Sequence, residues 1–179
     1  MRALVLGSAE CLFTDIEVAR ELFEPDLIVA CNDAGVAWPE RLDHWATLHP
    51  EKFLDWIERR RVAGRSAAGC LWTYGNGRAP AGLSVSRVAE KDGSSGLLCI
   101  RVAGLVGGTK IVLCGMPLSA AAHIDGISRD ESQRWPFERN LRTYRPVWEA
   151  NRTGILRNVR SMSGWTADLL GRPDGQWIS

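Results

Sequence analysis

The chain has 179 residues, with 22 Lys and Arg against 21 Asp and Glu for a net charge of +1. This length fits one domain with a substantial core, and the balanced charge gives no global electrostatic reason to expect nucleic acid or an anionic membrane as partner. Five cysteines (Cys11, Cys31, Cys70, Cys99, Cys114) without a C-x-x-C pair, no leader signature and no apolar run of membrane-spanning length read as reduced thiols in a soluble cytoplasmic protein.

In chain order, "RALVL" (2 to 6) is an apolar run followed by Gly7-Ser8, the pattern of a strand buried on both faces. Thr14 is placed to cap a helix over "DIEVARELF", with Ile16, Val18, Leu22 and Phe23 as its apolar stripe. "DLIVACND" (26 to 33) repeats the strand-then-polar pattern, and "HWATLHP" (44 to 50) is a weaker strand closed by Pro50. "EKFLDWIERRRVAG" (51 to 64) is helical in spacing and stops at Gly64. "GCLWTY" (69 to 74) is a fourth strand. Residues 78 to 95 read as a loop containing at most one short edge strand near "LSVSRV".

The helical period returns in "SSGLLCIRVAGLVGG", and "TKIVLCGMPL" (109 to 118) is the clearest strand of the chain. Beyond it the sequence is rich in Arg and aromatic residues and is read as helical, interrupted at Pro136 and Pro146, with a last short helix before Gly171 and Pro173. Strands alternating with helices imply right-handed crossovers and a mainly parallel sheet. The expected fold is α/β, Rossmann-like, with about five strands. It forms a single domain with an α/β core over 1 to 123 and a helical extension over 124 to 179. Eight tryptophans spread over the chain pack the core, with one or two as alternative stacking surfaces in a cleft.

In such a sheet, ligands sit beyond the carboxyl ends of the strands. That rule selects Gly7, Ser8, Ala9 and Glu10 after the first strand; Asn32, Asp33 and Gly35 after the second; His49 after the third; Tyr74 to Gly77 after the fourth; and Gly115, Met116 and Pro117 after the fifth, with His123 downstream. A full G-x-G-x-x-G is absent, which argues against a dinucleotide enzyme. Gly7 and Ser8 offer either backbone N–H groups to a phosphate or a plain tight turn. Asn32 carries a carboxamide that both donates and accepts, as recognition of a base requires, although turn chemistry also accounts for Asn32-Asp33.

His123 is the candidate general base, and no His or Cys stands at zinc-ligand spacing from it. Neither a G-x-S-x-G elbow nor a P-loop occurs, since "GLVGGTK" has the wrong order and runs from helix to strand. The arginines Arg139, Arg142 and Arg145 track one helical face and are read as solvated, with Glu138 and Glu149 nearby.

"LVLGSAECL", "DLIVACNDAG" and above all "GSSGLLCIRVAGLVGGTKIVLCGMPL" followed by His123 resemble the Rossmann-like domain of CMP-sugar-dependent bacterial sialyltransferases and motility-associated-factor glycosyltransferase-like proteins. The chain has Gly7-Ser8-Ala9-Glu10 where those families commonly have G-x-G-P-S. The tail "VRSMSGWTADLLGRPDGQWI" resembles the ends of small phage and prophage proteins. The resemblance implies nucleotide contacts from Gly7, Ser8 and Asn32, with His123 as base and Ser94, Ser95 and Gly96 as the small-residue start of a helix; with Ala9, Asp33 and Gly115 from the strand ends, Gly7, Ser8, Asn32 and Ser95 make up the expected nucleotide-binding residues.

The expected function is therefore a nucleotide-sugar-dependent glycosyltransferase-like activity, without a tightly bound cofactor. The alternative is a non-catalytic nucleotide- or protein-binding module on the same scaffold. A third reading, hydrolysis or phosphoryl transfer, requires a divalent metal, for which Asp33, Glu10 and Asp125 are the candidate carboxylates. The Trp-rich surface and C-terminal helices suit either a cleft cover or a homodimer interface.

Overall fold

In the computed structural model, residues 1–89, 93–119, 121–124 and 137–179 are described, the side chains of the last segment from residue 141 onward. Asp125, Trp135 and Pro136, and the side chains of Glu138 and Arg139, lie outside the described residues.

Three apolar runs form the centre of the sheet: β1 (Arg2–Leu6), β2 (Leu27–Cys31) and β6 (Lys110–Cys114). Each is buried along nearly its whole length, because helices cover both faces and leave no side of the strand to water. Flanking them are β3 (His44–Ala46), β4 (Cys70–Tyr74), β5 (Ser86–Val88) and β7 (Val159–Ser161). The order is β5-β4-β3-β2-β1-β6-β7, and every strand pair is parallel.

Among the described residues the sheet thus has seven strands where the sequence suggests about five. β5 is the short edge strand anticipated near "LSVSRV". β7 arises inside the segment read as a helical extension, and its three residues are too few to show a period.

Side chains alternate cleanly between two cores. On one face, α1 (Leu12–Leu22) and α3 (Phe53–Val62) bury Leu12, Ile16, Phe53 and Trp56 against Leu4, Leu6, Ile28, Val112 and Cys114. On the other, α4 (Ser95–Leu105) and α5 (Phe137–Ala150) bury Leu97, Leu98 and Trp148 against Ala3, Val5, Val29 and Leu113. α6 (Gly164–Leu170) joins this second core through Leu170, and α7 (Gly175–Ile178) joins the first through Ile178.

α1 begins before Thr14, with Cys11 at its N-cap, so Thr14 is an exposed first-turn residue and not the cap. α5 runs through Pro146, where the sequence suggests a break. The short α2 (Ala34–Ala37) is tied to α3 by Arg60, whose buried guanidinium donates to the carbonyls of Gly35, Trp38, Glu40 and Ser66 at 2.5–2.9 Å.

Strand order reverses between β1 and β6. β1 leads through α1 to β2 on one side, while β5 leads back across the sheet through α4 to β6 on the other side of β1. The loops leaving β1 and β6 therefore diverge, opening the crevice where α/β sheets hold ligands.

Candidate functional site

The β1 and β6 loops meet glycine to glycine. A Cβ on Gly7 would stand 2.2 Å from the Gly115 carbonyl oxygen, and one on Gly115 would stand 2.8 Å from the Gly7 oxygen. Gly115 also has φ +67°, a left-handed conformation costly for any other residue. The amide of Gly7 donates to Cys114 O (2.8 Å), Ala9 to Gly115 O (3.0 Å) and Glu10 to Ala122 O (2.9 Å). Among the described residues, the Ser8 amide is the one in this turn without a backbone acceptor.

Ser8 also bridges to the second strand. Its hydroxyl donates to Cys31 O (3.3 Å) and accepts from the Ala34 amide (3.1 Å), which fixes α2 against the β1 loop.

Asn32, one residue past β2, has φ +50°. The Trp45 indole N–H donates to its carbonyl at 2.7 Å. A directed chain sets its side chain: the His49 amide donates to Thr47 Oγ1 (2.9 Å), and Thr47 Oγ1 donates to Asn32 Oδ1 (2.7 Å). With Oδ1 occupied in this way, the Asn32 Nδ2 donor has no protein acceptor among the described residues. Thr47 was missed by the sequence reading, although a threonine directly after an apolar strand was the available signal.

The N-terminus of α4 closes the other side. Ser94 caps it, accepting from the Leu97 amide (3.2 Å) and from the Trp148 indole (3.3 Å). Ser95 Oγ accepts from the Leu48 amide at 3.2 Å, joining this helix to the β3 loop. Gly96 is buried under Met116 and Trp148, where a Cβ would come within 2.8 Å of the Met116 sulfur.

The crevice floor is held from beneath by Asp15. This carboxylate, 7% exposed, accepts from the Gly115 amide (2.8 Å) and from the Ser163 hydroxyl (2.7 Å) through a single oxygen. It thereby links α1 to the loops after β6 and β7. Cys11 Sγ lies 3.4 Å from Ser163 Oγ, and burial pushes its thiol pKa up, with the nearby Asp15 carboxylate acting in the same direction. Burial likewise raises Cys114 well above an ordinary thiol. A raised thiol pKa favours the neutral form, the weaker nucleophile.

His123 and Asp33 are brought together. Residues 121 to 124 run antiparallel to the β1 loop, with a bridge between Ala9 and His123 and an Ile124 N–H to Ser8 O bond of 3.0 Å. His123 Nε2 lies 3.5 Å from Asp33 Oδ2, and the two side chains are 14% and 22% exposed. The Glu10 carboxylate receives the Ala122 amide at 3.1 Å, so it fastens this same segment.

His49 lies apart from the pair, half exposed, 3.5 Å from Glu51. Among the described residues no three His, Cys, Asp or Glu side chains converge as metal ligands. Arg145 departs from the solvated face expected of it: it donates to Leu118 O at 2.9 Å and stacks 4.9 Å over Trp165.

No protein-family model matches the chain, and no curated protein does. Among solved structures, it is similar to the sialyltransferase CST-II in complex with a trisaccharide acceptor and CMP, at TM-score 0.63 and 11% identity over 98% of this chain and 87% of the other. Monomeric CstII matches at TM-score 0.63 and 12% identity over the same shares. At these identities the likeness is one of fold, a parallel α/β sheet flanked by helices. No helix among the described residues is long and apolar enough to cross a membrane.

Proposed function

We propose that the chain binds a cytidine nucleotide sugar in the crevice between the β1 and β6 loops and transfers the sugar to an acceptor hydroxyl. The donor class is taken from the CMP held by the structural neighbour. The Ser8 amide meets the phosphate, and the close-packed backbone of Gly7, Ala9 and Gly115 shapes the turn that presents it. The Nδ2 donor of Asn32 and the Ser95 hydroxyl serve the nucleoside, and Asp33 acts through His123.

In the reaction, the acceptor oxygen attacks the anomeric carbon while the bond from that carbon to the phosphate oxygen breaks. The electron pair leaves with the nucleotide monophosphate. His123 takes the acceptor proton, and Asp33, 3.5 Å from Nε2, stabilises the imidazolium that results. The Ser8 amide, the N–H of this turn that has no backbone acceptor among the described residues, stabilises the charge growing on the leaving phosphate.

The observation that carries this reading is the His123–Asp33 pair, which an antiparallel bridge fastens to the loop leaving β1. A histidine with a carboxylate behind it, beside the place where strand order reverses, is an arrangement suited to a general base.

The test measures release of CMP from a CMP-sugar in the presence of acceptor sugars, for the wild type and for His123→Ala. The expected result is turnover that falls by 10²- to 10⁴-fold in the variant while CMP affinity stays within a few-fold. Nucleotide binding with no turnover in the wild type would support the non-catalytic module instead. An unchanged rate in the variant would remove His123 from the chemistry.

A further inference from the structure

A second concavity lies between α1, α2 and α3, lined in part by Asp33 and by Ile124, the residue after His123. Its volume is about 250 Å³, below the roughly 300–1,000 Å³ of sites for drug-sized ligands. It is too small for a nucleotide and suits a compact molecule. Phe13, Val36 and Ile124 supply apolar walls, while Arg59, Arg65 and Asp33 bring two positive charges and one negative.

Arg59 is the informative residue. Its Nη1 lies 3.8 Å from Asp33 and 3.7 Å from Asp55, both beyond hydrogen-bond length, so neither carboxylate uses its donors. Arg65 donates to the Val36 carbonyl, which fixes its guanidinium at the wall. Phe13 leaves its ring 41% exposed on a helix whose neighbouring Leu12 and Ile16 are buried. An aromatic face, a branched aliphatic wall and a net charge of +1 are matched by an apolar body carrying a single negative charge.

We propose that this concavity binds a small hydrophobic carboxylate, aryl or branched aliphatic. Arg59 and Arg65 take the carboxylate, and Phe13, Val36 and Ile124 cover the apolar body. The concavity adjoins the nucleotide crevice at Asp33, and its occupancy does not depend on turnover. A carboxylate that draws Arg59 toward itself withdraws that cation from Asp33, so occupancy is felt at the imidazole.

The test is a titration of the full chain with benzoate, followed by amide NMR, with benzamide as the neutral isostere. Benzoate is expected to shift the Phe13, Val36, Ala37 and Ile124 amides saturably and to weaken as salt rises. Benzamide is expected to bind at least tenfold more weakly. Arg59→Gln, on a half-exposed side chain, should lower benzoate affinity tenfold or more with an unchanged melting curve, and Phe13→Ser should weaken both probes. Equal binding of benzoate and benzamide, benzoate affinity unchanged in Arg59→Gln, or the absence of saturable shifts would each overturn the proposal.

Discussion

Asp15 shows how much of the site depends on one side chain. Its one oxygen holds an amide and a hydroxyl from loops 100 and 148 residues away. Asp15→Ala leaves the buried Gly115 amide without its acceptor and takes the carboxylate from the part-buried Ser163 hydroxyl, and should cost about 1–3 kcal/mol in urea denaturation and weaken nucleotide binding. A loss under about 0.5 kcal/mol would show that the loops hold themselves. By its position alone Asp15 is an acid in the first turn of α1, favourable to the helix dipole. Its partners come from distant strands, so no local pattern could reveal them.

His44 gives a pH signal at the same scale. It accepts the Trp72 indole N–H on Nδ1 at 3.0 Å, and burial lowers its pKa below 6.5, with Asp43 opposing. The folded state therefore binds fewer protons than the unfolded chain just below pH 6.5. Stability is complete above that pH and declines as pH falls toward the folded value. Urea midpoints between pH 7.5 and 5.5 should drop more in the wild type than in His44→Phe, and parallel curves would contradict the assignment.

At the scale of elements, glycines separate the positions that need glycine from those that merely have it. Gly115→Ala places a Cβ 2.8 Å from Leu12 Cβ at φ +67°, and should destabilise by about 1–3 kcal/mol. Gly104, inside α4 with open space around it, should accept Ala with a gain of about 0.5–1 kcal/mol. Thermal melts of the pair check both signs. Gly7 belongs with Gly115, so any side chain there disturbs the packing of the two loops as well as the ligand.

Elements with long apolar runs, β1, β2, β6 and α4, were legible because burial on every side leaves only apolar residues. The start of α1 was obscured by Thr14, a good cap by type that stands three residues past the actual Cys11. Pro146 suggested a break that α5 does not make. Among candidate site residues, those beyond strand ends were legible by rule, because parallel topology brings every carboxyl end to one edge. The pairing of His123 with Asp33 rests on the antiparallel return of residues 121 to 124, which no periodicity announces.

For the whole molecule, seven parallel strands with one reversal between β1 and β6 concentrate Ser8, Asn32, Thr47, Ser95 and Gly115 at a single edge. The fold is similar to that of CST-II, and the proposed function requires this edge to bind a nucleotide. The most direct measurement is the melting temperature with CMP, UDP, GDP and ADP, each with and without magnesium. A nucleotide at about a hundredfold its Kd adds about 2.7 kcal/mol of stability, which in a domain of this size is about 5–10 °C. The account predicts such a rise with CMP and little with the others; no rise with any of the four would contradict it.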